Sequence, residues 1–434
     1  MNPKTGPYWW AAIKPEADRH GELPDTVDVV VVGAGLTGSS AARTLARAGK
    51  KVLVLDSGPL GFGASTRNGG MVGGGHLLSM EQLTLQYGED TARRLLREAH
   101  IDSMAFVKEL IETEGIDCDF KLHGRYRGQW TGAEYDATAR SLDTIQEVVP
   151  LRAEMIPFER QRQEVGTDFY AGGMLLLDHG GLHPAKYLHG VLGAARGAGA
   201  TVIGKTPVTG IVKDGSGFRV ATARGEVQTS AVLVATNGYT PPVFRWLKRR
   251  VIPVTSFVTA TEELAPETID EIMPGRRMVV ETRNRHCYFR LSPDGKRLVF
   301  GARAALSEIP QEKATAVIRG LMREIFPTLN GIELAYGWQG NTGFSFNFLP
   351  HVGRHDGVWH ALGFSGNGNT MAPYLGHKAA EAMLGDAANV TAFTKTELAT
   401  RFWYQQRPWF LPAAQVYYRF QDWRDNQKKK ADLA

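Results

Sequence analysis

The residues best suited to chemistry lie in two glycine-rich stretches far apart in the chain. The first, Gly33-Ala34-Gly35-Leu36-Thr37-Gly38, has Gly-x-Gly-x-x-Gly spacing and directly follows the apolar run Val29-Val30-Val31-Val32. In such a turn Gly33 bends the chain, Gly35 lets the backbone approach a pyrophosphate, and Gly38 lets the following helix lie against the strand. The N-terminus of that helix then faces the phosphates with unpaired N–H groups and the positive end of its dipole. A second apolar run ends in Asp56 and Ser57, and an acid about 20 residues beyond the turn accepts from a ribose 2′-hydroxyl and disfavours a 2′-phosphate. The pattern predicts FAD or NAD rather than NADP.

The second stretch, Gly363-Phe364-Ser365-Gly366-Asn367-Gly368-Asn369-Thr370-Met371, runs into a helical pattern from Ala372 to Leu384. It offers a second helix N-terminus to an acceptor-rich ring or an oxyanion. Between the two lies Gly61-Phe62-Gly63-Ala64-Ser65-Thr66-Arg67-Asn68-Gly69-Gly70-Met71, extended by Gly73-Gly74-Gly75-His76. Small and polar residues there replace any hydrophobic period, and such a loop brings backbone N–H groups close to an anion or a flat ring. His76 reads as a local hydrogen-bonding residue. Tyr288, Arg290, Arg303 and Trp338 are the candidate substrate contacts; the guanidinium of Arg303 offers a bidentate fork to a carboxylate.

Holding these groups in place requires a strand–helix–strand unit. Apolar residues recur at helical spacing through Ala41, Ala42, Leu45 and Ala46 before Gly49, and the second strand is Lys51-Val52-Leu53-Val54-Leu55. A helix with Leu95, Leu96, Ala99, Phe106, Leu110 and Ile111 on one face begins at Asp90. Short β signals at 119–122 and 124–127, a helical stretch at 132–148 and a helix opened by His183-Pro184 follow. Further strands are predicted at 201–203, from Val208 to Lys213 and at 218–222. The apolar strand Ala231-Val232-Leu233-Val234-Ala235 ends in Thr236-Asn237-Gly238, where a central parallel strand meets a ligand. Asp294-Gly295 between alternating runs predicts a hairpin, and a helix covers about 313–325. The fold class is therefore α/β (α+β mixed): a Rossmann-like dinucleotide-binding domain with an interleaved β-rich substrate domain. The boundaries read from the sequence are 1–26 as an extension, 27–80, 165–245 and 335–390 as the nucleotide-binding domain, 81–164 and 246–334 as the substrate domain, and 391–434 as an aromatic tail.

The chain of 434 residues is 43% hydrophobic and 22% charged, enough for two interlocked domains of ordinary composition. A net charge of +5, concentrated only at Lys428-Lys429-Lys430, argues against nucleic acid and leaves an anionic substrate or a membrane surface. Cys118 and Cys287 lack zinc or redox spacing, so both read as buried packing thiols in a reducing compartment and no metal is expected. With no signal-peptide core and no apolar run of about 20 residues, the expectation is a cytoplasmic protein with no transmembrane segment. Trp403, Tyr404, Trp409, Tyr417, Tyr418 and Trp423 in the tail are expected to cover a core, and Tyr8, Trp9 and Trp10 to be simple packing anchors.

Taken together these segments resemble, over nearly the whole chain, the FAD-dependent oxidoreductases of the D-amino-acid-oxidase type. The likeness rests on Gly33 to Gly38, Gly61 to Ser65 with Arg67-Asn68-Gly69-Gly70, Tyr87-Gly88-Glu89-Asp90-Thr91-Ala92-Arg93, Ile116-Asp117-Cys118-Asp119, and Gly363 to Gly368. It implies FAD held by Gly33, Gly35, Leu36, Thr37, Gly38, Asp56, Ser57, Ala64, Ser65 and Val208. Arg67, Asn68, Gly69, Gly70 and Met71 would lie along the isoalloxazine with Gly363, Ser365, Gly366, Asn367, Gly368, Thr370 and Met371, and Thr236 and Asn237 beside it. The implied reaction is oxidation of a C–N bond in an amine or amino-acid derivative to an imine, with O2 as acceptor, or alternatively a quinone or carrier protein. Asn347-Phe348-Leu349-Pro350 stands where the family often has an aspartate. Covalent-flavin relatives use a late cysteine or an early-loop histidine; this chain has no cysteine after Cys287 and has Arg67-Asn68 in the loop, which implies non-covalent FAD. The sarcosine-oxidase branch places a lysine above the flavin where this register puts Val299, so the cation that assists electron transfer to oxygen in that branch is missing at that position.

Overall fold

The computed structural model describes residues 3–16, 21–75, 78–385 and 390–432, with side chains described as far as residue 427. Among them are two large sheets that share no strand. In the smaller, Thr26–Val32 lies between Val52–Leu55 and Gly225–Val234 and runs parallel to both, with Thr201–Ile203 beyond Val52–Leu55. The antiparallel strands Val208–Asp214 and Gly217–Thr222 and the hairpin His351–His355/Val358–Leu362 complete it. Val30, Val32, Leu53 and Leu55 pack on one face, and Val29, Val31, Val52 and Val54 pack on the other with helix residues Leu36, Ala41, Ala42 and Leu45. Burial on both faces is why these strands read as unbroken apolar runs.

Helix Leu36–Arg47 leaves the first strand and crosses helix Gly368–Leu384. The backbones meet so closely that a Cβ on Gly376 would lie 2.2 Å from the Thr37 carbonyl oxygen, and the Ser40 hydroxyl donates to the Pro373 carbonyl at 2.7 Å. Helices Met80–Tyr87, Glu89–Arg97 and Ser103–Thr113 join the same core through Leu83, Ala92, Leu95, Leu96 and Val107. The single helix expected from Asp90 is interrupted by a π-helical turn, Glu98–Asp102. The first part of the expected substrate domain therefore packs on the nucleotide-binding side, because its apolar face matches those helices rather than the larger sheet.

The larger sheet has the order Lys4–Thr5, Leu334–Phe344, Ile252–Thr261, Leu298–Ala302, Tyr288–Leu291, Met278–Glu281, Arg125–Gly128, Gly173–Leu176, Ala153–Ile156. Gly173–Leu176 and Leu334–Phe344, which the sequence boundaries put in the nucleotide-binding domain but for Leu334, belong here because they pair antiparallel with strands of this sheet. One face is core: Tyr126, Val279, Phe289 and Phe300 pack against Ile318, Leu321, Met322 and Ile325 of helix Gln311–Ile325. By strand alternation Arg125, Arg127, Tyr288, Arg290, Val299 and Trp338 point the other way. The Asp294-Gly295 hairpin and the helices Gly132–Val148 and Pro184–Gly197 form as the sequence predicts. The 119–122 signal yields only an isolated bridge, Lys121 to Gly181.

Candidate active site

The first glycine turn has no room for side chains. Gly33 adopts φ +104°, and a Cβ there would lie 2.9 Å from the Ala235 carbonyl oxygen; a Cβ on Gly38 would lie 1.9 Å from that of Gly33. Gly35 precedes helix Leu36–Arg47 and provides no side-chain cap. The Ser65 hydroxyl accepts from the Leu36 N–H at 3.1 Å. Asp56 accepts from the Ala34 N–H at 2.8 Å and the Gly58 N–H at 3.0 Å, while burial raises its pKa. Ser57 beside it is exposed, whereas Val208 is packed among the apolar residues of the sheet.

The second glycine turn is tied to the early loop. Asn369 donates to the Asn68 side-chain oxygen at 2.8 Å and to the Met71 carbonyl at 2.9 Å. The Thr370 hydroxyl accepts from the Gly73 N–H at 3.0 Å, and Asn367 donates to the Gly75 carbonyl. Asn68 in turn donates to the carbonyls of Ala64 and Ser65 and accepts from the Gly70 N–H. Ser365 donates through its backbone to Gly343, Gly363 donates to the Asn237 side chain at 2.9 Å, and the Thr236 and Thr240 hydroxyls bond at 2.8 Å. Met371 is buried. Gly366, at φ +109°, and Gly368 both have open space where a Cβ would sit, and Asn367 does not cap the helix with its side chain. Two helix N-termini, neither capped by its own N-cap side chain, joined by one polar loop fit a dinucleotide carrying a flat ring.

Three indoles hold that loop from outside. Trp9 donates to the Asn68 carbonyl at 2.8 Å, Trp10 to the Thr66 hydroxyl at 3.0 Å, and Trp338 to the Arg67 carbonyl at 2.9 Å. Trp9 is fully buried, edge-on to Trp338 and to His183. The N-terminal anchors are thus loop-positioning groups, a role their sequence context does not reveal. Arg67 bonds the carbonyls of Phe62 and Gln339 and lies over the rings of Trp10 and Phe62.

The four candidate substrate contacts separate. Trp338 is 2% exposed and Arg290 3%; Arg290 donates to the carbonyls of Gly70, Leu182 and Leu291. Both hold the loop, the Trp338 indole through the Arg67 carbonyl and Arg290 Nη1 through that of Gly70. Tyr288 lies flat across Gly301, where a Cβ would be 2.1 Å from its ring, and touches Gly69. Its hydroxyl bonds Ser256 at 2.9 Å, and burial raises its pKa. Arg303 has only a 3.5 Å contact to the Asn284 carbonyl and lies 5.6 Å from the Phe344 ring. It also lines a cavity of about 330 Å³ with Glu324, Gln415, Tyr418 and Asp422.

Sequence reasoning missed Arg125, Arg127 and His286. Arg127 falls in one cross-strand row with Val280, Tyr288, Gly301, Val258 and Trp338. It is exposed, yet burial lowers its pKa, so it faces a recess enclosed by protein. The Arg125 Nε is buried without a hydrogen-bond partner and burial brings the group down to about 10. His286 is held at about 3, first by burial and then by Arg303, Arg127 and Arg125, so it is neutral among three cations. The signal that was available was Arg125-Tyr126-Arg127 itself: period-two alternation in a strand puts both guanidiniums on the face opposite a buried tyrosine. Val299 is buried with Trp9, Val258, Ala260 and Trp338. Cys118 and Cys287 are buried free thiols as expected, the former pushed up to about 12 by burial. His76 lies outside the described residues.

The family model described as DAO, FAD dependent oxidoreductase, matches residues 28–382. The chain is 32% identical over 379 residues to the probable oxidoreductase OrdL of Haemophilus influenzae, covering 84% of this chain and 85% of that one. It is 32% identical over 372 residues to the gamma-glutamylputrescine oxidoreductase of Escherichia coli K12, covering 85% and 86%. Among solved structures, glycine oxidase from Geobacillus kaustophilus superposes with a TM-score of 0.70 at 21% identity, covering 86% of this chain and all of that one. L-proline dehydrogenase from P. horikoshii gives 0.68 at 20% identity, covering 91% of this chain and all of that one.

Proposed function

Because the chain belongs to the DAO family of FAD-dependent oxidoreductases, we propose that it oxidises the C–N bond of an amine that also carries a carboxylate, gamma-glutamylputrescine or a related compound. Oxidation removes a hydride from carbon and a proton from nitrogen, leaving an imine. Water adds to the imine and expels the amine nitrogen, giving an aldehyde or keto product. FAD, held non-covalently by the Gly33–Gly38 turn, Asp56, the 64–71 loop and the 363–371 turn, supplies the two-electron acceptance when bound. The electrons then pass to O2, which takes two protons to become H2O2.

One observation carries the substrate class: Arg303, Arg127 and Arg125 all act on the buried His286, and among the described residues none of the three forms an ion pair, Glu134, which acts on Arg127, being already bonded to the Trp130 N–H and the Thr282 hydroxyl. Unpaired guanidiniums in a recess favour a bidentate anion. Arg127 and Arg303 grip the carboxylate, and the Tyr288 phenol, kept protonated, donates to it or to the adjacent amide. With the substrate oriented in this way the amine enters neutral and no side-chain base is required. Anaerobic bleaching with paired amines, with and without the remote carboxylate, tests this. Carboxylated members should reduce the flavin at least tenfold faster at limiting concentration, and equal rates would overturn it.

Burial of Val299 in an apolar cluster favours a second acceptor, a quinone or carrier protein, since no ammonium stands there to assist transfer to oxygen. Stopped-flow reoxidation separates the two: return of the oxidised spectrum within milliseconds of mixing with air supports O2, and persistence for minutes with rapid dye reduction supports the carrier. Acid precipitation should leave all yellow colour in the supernatant.

A further inference from the structure

We propose that the C-terminal helix Leu411–Asp432 docks the protein on the surface of an anionic phospholipid bilayer. The helix is held to the body by its inner face alone. Leu411 is buried, Gln415 accepts from the Leu306 N–H at 3.3 Å, and Asp422 accepts from the N–H groups of Asn284 and Arg285. The outer face carries Val416, Tyr417, Phe420 and Trp423, exposed by 69%, 58%, 55% and 57%. These positions recur at three- and four-residue spacing and form one stripe. Phe420 and Trp423 stack at 5.8 Å. Phe402 and Trp409 stand exposed just before the helix, so six large apolar side chains that reach solvent fall within residues 402–423, whereas those elsewhere are scattered along the chain and need no explanation.

Charge selects the occupant. Residues 401–434 hold seven basic side chains against three acidic ones, and of the acids Asp422 is turned inward while Asp425 pairs with Arg424. Arg401, Arg407, Arg419 and Arg424 flank the stripe and are exposed. A second copy meeting this face about a two-fold axis would bring like charges together, whereas anionic headgroups complement them. Tyr and Trp rings favour the headgroup level, with the apolar body below and the polar tip in water. No helix among the described residues is long and apolar enough to cross a membrane; this one has the composition of a helix that lies on the surface.

The purified holoenzyme would be sedimented with vesicles of phosphatidylcholine alone and with phosphatidylglycerol added, at low ionic strength and at about 1 M salt, where the screening length shrinks to about 3 Å. Binding to the anionic vesicles should exceed binding to the neutral ones at least tenfold and disappear at high salt. Phe420→Ser with Trp423→Ser should lower it about tenfold at unchanged flavin content and thermal midpoint, both side chains being exposed. Arg419→Gln with Arg424→Gln should weaken it about as much. Absence of sedimentation, equal binding to both vesicle types, or binding that the double variants leave intact would overturn the proposal. So would a dimer in light scattering that Phe420→Ser with Trp423→Ser converts to monomer while neither protein binds vesicles.

Discussion

At the two helix termini the site is made of backbone, and on the sheet face it is made of long side chains. In the first region Gly33, Gly38 and Gly376 bring main chain against main chain, and the polar side chains there, Ser65, Asn68, Asn369 and Thr370, are used to hold other backbone. In the second, Arg125, Arg127 and Arg303 end in guanidiniums that bond little of the protein. A cradle of backbone has no tolerance for an added atom but reads only the common part of a ligand. On the function proposed above, the face of guanidiniums tolerates substitution and selects the ligand.

Gly38→Ala should do most damage. Its Cβ falls at 1.9 Å from a carbonyl oxygen, so strand and helix must separate. Flavin absorbance per protein should drop below a tenth of wild type, whereas Gly193→Ala, with open space on a helix surface, should retain it. Arg303→Ala and Arg127→Ala come next. Each should raise KM for the carboxylated amine about 10- to 100-fold, the equivalent of about 1.5–3 kcal/mol for a charged hydrogen bond, with flavin content unchanged; loss of flavin from either would erase the distinction between the regions. Gly366→Val should weaken FAD binding about tenfold through strain at φ +109°. Gly215→Val, at φ +57° in a remote hairpin, also puts a β-branched residue at positive φ, though in the milder left-handed region, and should leave binding alone. Trp9→Phe removes one donor to the loop and should cost about 1 kcal/mol in denaturant unfolding. The smallest effect concerns pH. With its pKa lowered to about 3, His286 gains no proton between pH 8 and 5, so KM for the carboxylated amine, expressed as its neutral-amine form, should stay level; a fall toward acid in that corrected KM would show a fourth cation forming there.

The backbone region was legible because its signal is local. Gly33 to Gly38, the helices on either side of it and the 363–371 turn are each contained in a few consecutive residues, and their chemistry follows from spacing. The sheet face was not, because what Arg127 meets depends on the register of six strands drawn from residues 125 to 344. Arg290 and Arg303 look alike in sequence, yet the first is spent on the carbonyls of Gly70, Leu182 and Leu291 while the second makes a single long contact, to the Asn284 carbonyl. The tail shows the same limit. Tyr404 is fully buried, but Trp409, Tyr417 and Trp423, expected to cover a core, face solvent because Leu411, Ala414 and Tyr418 already occupy the inner side of that helix.

The bonds between Ser40 and Pro373, Gly73 and Thr370, and Asn68 and Asn369 join residues separated by 333, 297 and 301 positions. During synthesis, then, the first glycine turn emerges long before its partners, and a ribosome must pass residue 376 before the two helices can cross. Domains that close such distant contacts pay their loop entropy late. Nascent chains stalled before Gly363 should therefore carry no flavin.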